Sequence, residues 1–186
     1  MDDDMKTFDI LLIGTSSVGK KSLICRFLGE DLDENSRTSN NGPTTTVIKT
    51  YNKKITLKIY KTLPQDCDNY LKKETGIMLI YQIDYKSSFE EIKNLYTRKL
   101  KKLKNEVCYL IGNKSDLEGQ RNVTKTEAEE FASSNDIKFY EVSAKKNENV
   151  SNAFDNFTKD LLNKNKDTSS NDNSNSFNQC LKCILI

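Results

Sequence analysis

The sequence predicts an α/β fold, three layers deep, with a mostly parallel central sheet and helices on both faces. Two observations carry this reading. The runs Phe8–Ile13, Ile77–Ile83 and Val107–Ile111 are apolar almost throughout rather than alternating, as expected of strands buried on both faces. Each is followed by residues whose apolar positions recur at helical spacing, and strand–helix alternation is the pattern of a parallel sheet. The chain's 186 residues, 35% of them hydrophobic, allow one core plus a tail.

Taken in order, Phe8–Ile13 reads as the first strand, and Leu23, Ile24, Phe27 and Leu28 line one face of the helix after it. Residues 30–46 are polar, contain Gly42-Pro43 and read as a long surface loop. Val47 to Tyr51 and Ile55 to Tyr60 read as two strands around a turn at Asn52-Lys53. Residues 61–75, charged and carrying Leu63-Pro64, predict a second irregular loop. After Ile77–Ile83, Ser87-x-x-Glu90 predicts a capping box, with Phe89, Ile92, Leu95, Tyr96 and Leu103 as the apolar stripe of a helix. The unit then repeats. Val107–Ile111 reads as a strand, and Thr124-x-x-Glu127 as a capping box ahead of Ala128 and Phe131. Phe139, Tyr140 and Val142 suggest the last strand, and Val150, Phe154, Phe157 and Leu161 the last helix. From Asn163 to Gln179 the composition is that of a disordered linker, so we divide the chain into a domain over 1–163 and a tail over 164–186.

Composition removes several function classes. With 29 basic and 27 acidic residues the net charge is +2, too balanced to point to nucleic acid. The chain has no histidine, which excludes Ser-His-Asp and Cys-His catalysis. Five cysteines, Cys25, Cys67, Cys108, Cys180 and Cys183, form an odd set without metal-site spacing, and with no leader at the N-terminus a reducing, cytosolic setting is expected. Cys25 and Cys108 lie in apolar runs and read as inert core residues. No apolar run is long enough to span a bilayer.

Three motifs carry chemistry. Gly14-Thr15-Ser16-Ser17-Val18-Gly19-Lys20-Lys21-Ser22 lies between the first strand and its helix, the context in which G-x-x-x-x-G-K is a phosphate-binding loop. Its glycines let backbone N–H groups point inward, the helix N-terminus adds its dipole, and Lys20 adds a full charge. The position after that lysine should be Ser or Thr, whose hydroxyl binds Mg²⁺; it is Lys21, which has no lone pair to give. Ser22 comes one residue late, about 100° around the helix. The second motif, Asn113-Lys114-Ser115-Asp116, offers a carboxylate that can accept two parallel hydrogen bonds from guanine, whose donor pair adenine lacks. Asn113 can tie neighbouring loops, and the Lys114 stem can cover the base plane. The third, Ser143-Ala144-Lys145, ends the last strand, where a backbone N–H near Ala144 could meet the guanine carbonyl. Gly14, Asn113 and Ser143 all fall at carboxyl ends of strands, where ligands of such sheets sit.

With G-x-x-x-x-G-K, N-K-x-D and S-A-K in this order, residues 6–163 resemble a small GTPase of the Ras superfamily, built on the P-loop NTPase fold. Ser16, the strand Leu57-Lys58-Ile59-Tyr60 and the terminal cysteines make the chain most similar to the Rab family. The resemblance implies GTP or GDP as ligand, Mg²⁺ as its companion, a monomer, trafficking effectors as partners and a role in vesicle traffic.

The catalytic half of the site departs from the family pattern. Besides Lys21, the stretch Lys61-Thr62-Leu63-Pro64-Gln65-Asp66 stands where the family reads D-T-A-G-Q-E. Lys61 replaces an aspartate that holds the metal through water, and Pro64 replaces a glycine whose N–H grips the γ-phosphate. Gln65 matches the glutamine that orients the attacking water. The metal-sensing threonine of the first switch corresponds to Ser39, beside Thr38, without gaps, or to Thr44 with a gap. Leu32 stands near where relatives stack an aromatic ring on the base, and Ser17 where they usually have glycine. Mg²⁺ binding is therefore doubtful and hydrolysis is expected to be feeble. The C-terminal Cys183-Ile-Leu-Ile is a C-a-a-X box of the geranylgeranyl type, with Cys180 as a second candidate lipid site, so a prenyltransferase is an implied partner. The expected location is the cytoplasmic face of a cell or organelle membrane. The competing readings are a membrane-bound interaction module that does not switch and a nucleotide kinase; N-K-x-D disfavours the kinase.

Overall fold

The computed structural model describes residues 6–32, 42–50, 53–71, 75–103 and 107–167. They form a six-stranded sheet, with β1 (Thr7–Ile13), β2 (Thr44–Thr50), β3 (Lys53–Thr62), β4 (Gly76–Gln82), β5 (Cys108–Asn113) and β6 (Lys138–Glu141) in the order β2-β3-β1-β4-β5-β6. Only β2 runs antiparallel to its neighbour β3; the other four pairings are parallel. The helices are α1 (Lys20–Phe27), α2 (Lys86–Arg98), α3 (Lys125–Ser134) and α4 (Val150–Asp167). This is the predicted three-layer α/β architecture.

The period of two along β1 explains why its sequence looks uniformly apolar. Ile10 and Leu12 join a core with Leu23 and Ile24 of α1 and Phe154, Phe157 and Leu161 of α4. Leu11 and Ile13 point to the opposite core, with Phe89, Ile92 and Tyr96 of α2 and Ala128 and Ala132 of α3. In β4, Met78 and Ile80 face the first core, and Ile77, Leu79 and Tyr81 the second. Rings close the first core: Phe27 stacks on Phe154 at 4.4 Å, and Tyr109 meets Phe157 edge-on at 5.0 Å. Gly76 is required where β4 passes α4, because a Cβ there would stand 2.7 Å from both Leu161 and Phe157.

Several local expectations change. Ser87-x-x-Glu90 is no capping box: α2 starts at Lys86 behind Tyr85, with no side-chain cap. Buried Ser88 bridges the entry instead, accepting from Gln82 N and donating to Tyr85 O. Thr124 does cap α3, accepting from Glu127 N, but the Glu127 carboxylate pairs with Lys86 of α2 rather than reaching back. Leu103 is not on the α2 stripe: the chain breaks into a single 3₁₀ turn at Leu100–Lys102, which leaves Leu103 exposed. The second irregular loop contains a 3₁₀ helix, Pro64–Asn69, and β3 extends to Thr62. The first loop ends early, since β2 takes Thr44 to Thr46 into the ladder. Cys25 is buried and Cys108 half-buried. α4 continues to Asp167, into the stretch whose polar composition reads as linker. Among the described residues no helix is long and apolar enough to cross a membrane.

Phe157 supplies the ring that seals β4 and β5 against α4, so Phe157→Ala is expected to lower stability by about 3–5 kcal/mol. Urea unfolding of the purified chain measures it; a loss below about 1 kcal/mol would mean that α4 packs loosely.

Candidate functional site

The loop after β1 is shaped by steric limits at its two glycines. A Cβ on Gly14 would lie 2.4 Å from the Ile80 carbonyl oxygen, and one on Gly19 2.3 Å from Asn113 Nδ2. Gly19 also has φ +93°, which only glycine adopts readily. Between them Ser17 sits at φ +63°, a left-handed position held by a residue with a side chain. The serine therefore keeps the turn that a glycine would make without strain. Gly14 N donates to Thr62 O at 3.3 Å, fastening the loop to the end of β3. Thr15 Oγ1 is buried and without a partner among the described residues. Ser16 and Ser17 are exposed, and Val18 anchors the loop in the core.

Lys20 folds back over this loop, donating to Gly14 O at 2.5 Å and Thr15 O at 2.7 Å. Burial, and next the positive charge of Lys61, bring its pKa down from 10.5 to about 8. Lys61 is itself lowered, by burial first and by the charge of Lys21 second. Lys61 pairs with Leu12 in the β3–β1 register, two residues before Gly14. Three ammonium groups thus act on one another at one end of the sheet.

The other half of the site is joined to the loop by one amide. Asn113, at the end of β5 and 2% exposed, donates through Nδ2 to Val18 O at 2.8 Å and accepts through Oδ1 from Ala144 N at 3.2 Å. Lys114 follows at φ +66°, opening the 3₁₀ helix Ser115–Gln120 that carries Asp116. Ser143 Oγ donates to Asp116 Oδ1 at 2.6 Å and accepts from Lys146 N at 3.0 Å, fixing the carboxylate. The Ala144 N–H, expected near the guanine carbonyl, is given instead to Asn113 Oδ1, and the neighbouring Lys145 side chain is exposed.

Two arginines passed over in the sequence reading hold this half together. Arg26 of α1 donates through Nε to Ala144 O at 3.0 Å, 118 positions away. Arg121 grips Glu118 at 2.6 Å and Glu141 at 2.7 Å, tying the Asp116 turn to the end of β6 and pushing the Glu118 carboxyl below its usual range. Charge near a motif was the only available signal, and it does not say which partner the fold will bring.

The switch positions are less complete. Ser39, Thr38, Cys180 and Cys183 lie outside the described residues. Thr44 is buried and paired with Ile59 inside the β2–β3 ladder. Gln65 is exposed on the 3₁₀ helix, whose first residue is buried Pro64. Ser22 is half-buried on α1. The side chains of Lys21 and Lys61 carry no oxygen, so the residues at the positions of the family's metal ligands do not fit Mg²⁺. Among the described residues, no three Asp, Glu, Cys or His side chains cluster as a metal site.

A glycine-bounded loop between β1 and α1, on a mostly parallel six-stranded sheet with helices on both faces, defines the P-loop NTPase fold. Residues 9–163 match the model of the Ras family, and the chain belongs to that family. Within it the similarity is to Rab proteins. The chain is 36% identical to Ras-related protein Rab-13 of Bos taurus over 83% of its length and 80% of the relative's. It is 36% identical to Rab-10 of Diplobatis ommata, over 84% and 82%, and 33% identical to human Rab-21, over 80% and 69%.

The lowered pKa of Lys20 has a readable consequence. A bound phosphate favours the charged lysine and raises its pKa, so between about pH 8 and that higher value GDP binding takes up a proton. Affinity is expected to fall as pH rises above 8. Calorimetry at pH 8.5 in two buffers of different ionisation enthalpy measures the uptake; a value of zero would place Lys20 away from the phosphates.

Proposed function

We propose that the chain is a Rab-like protein that binds GTP and GDP at a membrane surface, in vesicle traffic or related signalling, with weak GTP hydrolysis. The observation that carries the nucleotide reading is the Asn113 amide, which spans the phosphate loop and the Ala144 turn so that both halves of the site are set by one side chain. In this reading Gly14 to Ser22 cradle the phosphates, Asp116 selects guanine and Lys145 N–H meets its carbonyl. The Lys114 stem lies along the base. Gln65 is the remaining catalytic group, and its neighbour Pro64 cannot donate to a γ-phosphate. Positioning and charge supply most of the catalysis of phosphoryl transfer, which supports feeble turnover. Residues 1–163 form the nucleotide-binding domain, and 164–186 tether it through a geranylgeranyl group on Cys183, with Cys180 as the second lipid site.

Calorimetric titration with GDP, GTP and ATP tests the reading. Guanine nucleotides are expected to bind and ATP not to, and Asp116→Ala is expected to weaken GDP by at least tenfold. Equal affinity for ATP would refute guanine selection. Single-turnover hydrolysis as fast as an ordinary Rab's would refute the weak-enzyme reading and favour an intact switch. Chromatography and mass measurement of the C-terminal peptide from cells test the anchor; a peptide ending in unmodified Ile186 would remove it.

A further inference from the structure

We propose that Lys21 and Lys61 together take the place of the divalent cation, so that this chain holds a guanine nucleotide without Mg²⁺. The inference rests on the nucleotide reading above and concerns how the same site balances charge. Lys21 is the second residue of α1, directly after the lysine that closes the phosphate loop. Lys61 stands on β3 beside Thr62, whose carbonyl receives Gly14 N and so sits at the root of the same loop. The first turn of α1 and the end of β3 therefore bring two lysines to the same end of the loop, close enough for Lys21 to act on the charge of Lys61. In sequence they occupy the hydroxyl and carboxylate positions through which relatives hold their metal.

Charge arithmetic makes the exchange coherent. Two ammonium groups supply the same +2 that Mg²⁺ supplies, and each is a compact point charge on a flexible stem able to donate to phosphate oxygens. The exchange is also all-or-none in chemistry. A cation introduced beside a retained carboxylate would form a salt bridge and leave the metal site damaged. Here position 61 itself carries a lysine where the family pattern has its carboxylate. Without nucleotide the lysines oppose one another, since Lys61 depresses Lys20 and Lys21 depresses Lys61. A polyphosphate placed among them turns that repulsion into attraction. What the ammonium pair would not supply is the fixed coordination that a divalent cation would bring to phosphoryl transfer. Retained binding with poor hydrolysis follows.

The test is GDP affinity of the full chain, stripped of nucleotide, in millimolar Mg²⁺ and in excess chelator. The expected result is agreement within about threefold, with Lys21→Ser/Lys61→Asp weaker by tenfold or more in chelator and partly recovered by Mg²⁺. Lys21→Arg/Lys61→Arg, which keeps the charge, is expected to remain indifferent to chelator. A wild-type affinity that drops tenfold or more on chelation would overturn the inference and leave the nucleotide reading standing. Absence of GDP binding in both buffers, with the circular dichroism of a folded chain, would overturn both. The wild-type comparison decides even if a charge-reversed variant fails to fold.

Discussion

The carboxamide of Asn113 is the interaction on which the site depends. It is almost wholly buried, and both of its ends are used, one toward the loop after β1 and one toward the turn after β6. A buried amide is tolerated only when its donors and acceptors are met, so its presence fixes the spacing of the two loops as firmly as a covalent staple would. Gly19 is part of the same constraint: the space its missing Cβ would fill is taken by Asn113 Nδ2. The loop after β1 and the turn after β6 are thus one mechanical unit, with the end of β5 between them.

Around that unit the charges fall into two regimes. Around the Asp116 turn two arginines are held by counterions and a carbonyl: Arg121 between Glu118 and Glu141, Arg26 on Ala144 O and Asp31. That side is settled before ligand arrives. On the phosphate side cations are gathered against one another, and Lys20 spends its hydrogen bonds on the carbonyls of its own loop. The Asp116 turn is thus held by ion pairs and hydrogen bonds, whereas the loop after β1 combines steric limits at Gly14 and Gly19 with mutual repulsion among lysines.

Much of this was legible in the sequence, for definable reasons. Strands buried on both faces announce themselves by unbroken apolar runs, and β1, β4 and β5 stand within two residues of where those runs place them. The three motifs were legible because their chemistry is local, a loop of nine residues or a turn of four. Pairings decided by tertiary contact were not. Ser87 and Glu90 have the spacing of a cap, but Ser88 finds two backbone partners and the helix starts earlier. Glu127 has a choice between its own helix and Lys86, and the sheet brings Lys86 close. Arg26 finds its carbonyl from another quarter of the chain. Leu103 obeys the helical period in a segment where the helix has already ended.

Pro64 carries a consequence beyond the rate of any reaction. A molecular switch moves only as far as its ligands discriminate between its two conformations, and a ligand held equally by both shifts nothing, however tightly it binds. A backbone N–H at this position is how relatives register the terminal phosphate, and a pyrrolidine ring has none to offer. The ring is packed into the start of a 3₁₀ helix that also buries Cys67, so the segment is anchored by apolar contact rather than by the ligand. Information about the third phosphate then has one fewer route out of the pocket. Under the proposed function, the occupancy of the site, more than the length of its phosphate chain, is the variable a partner would read.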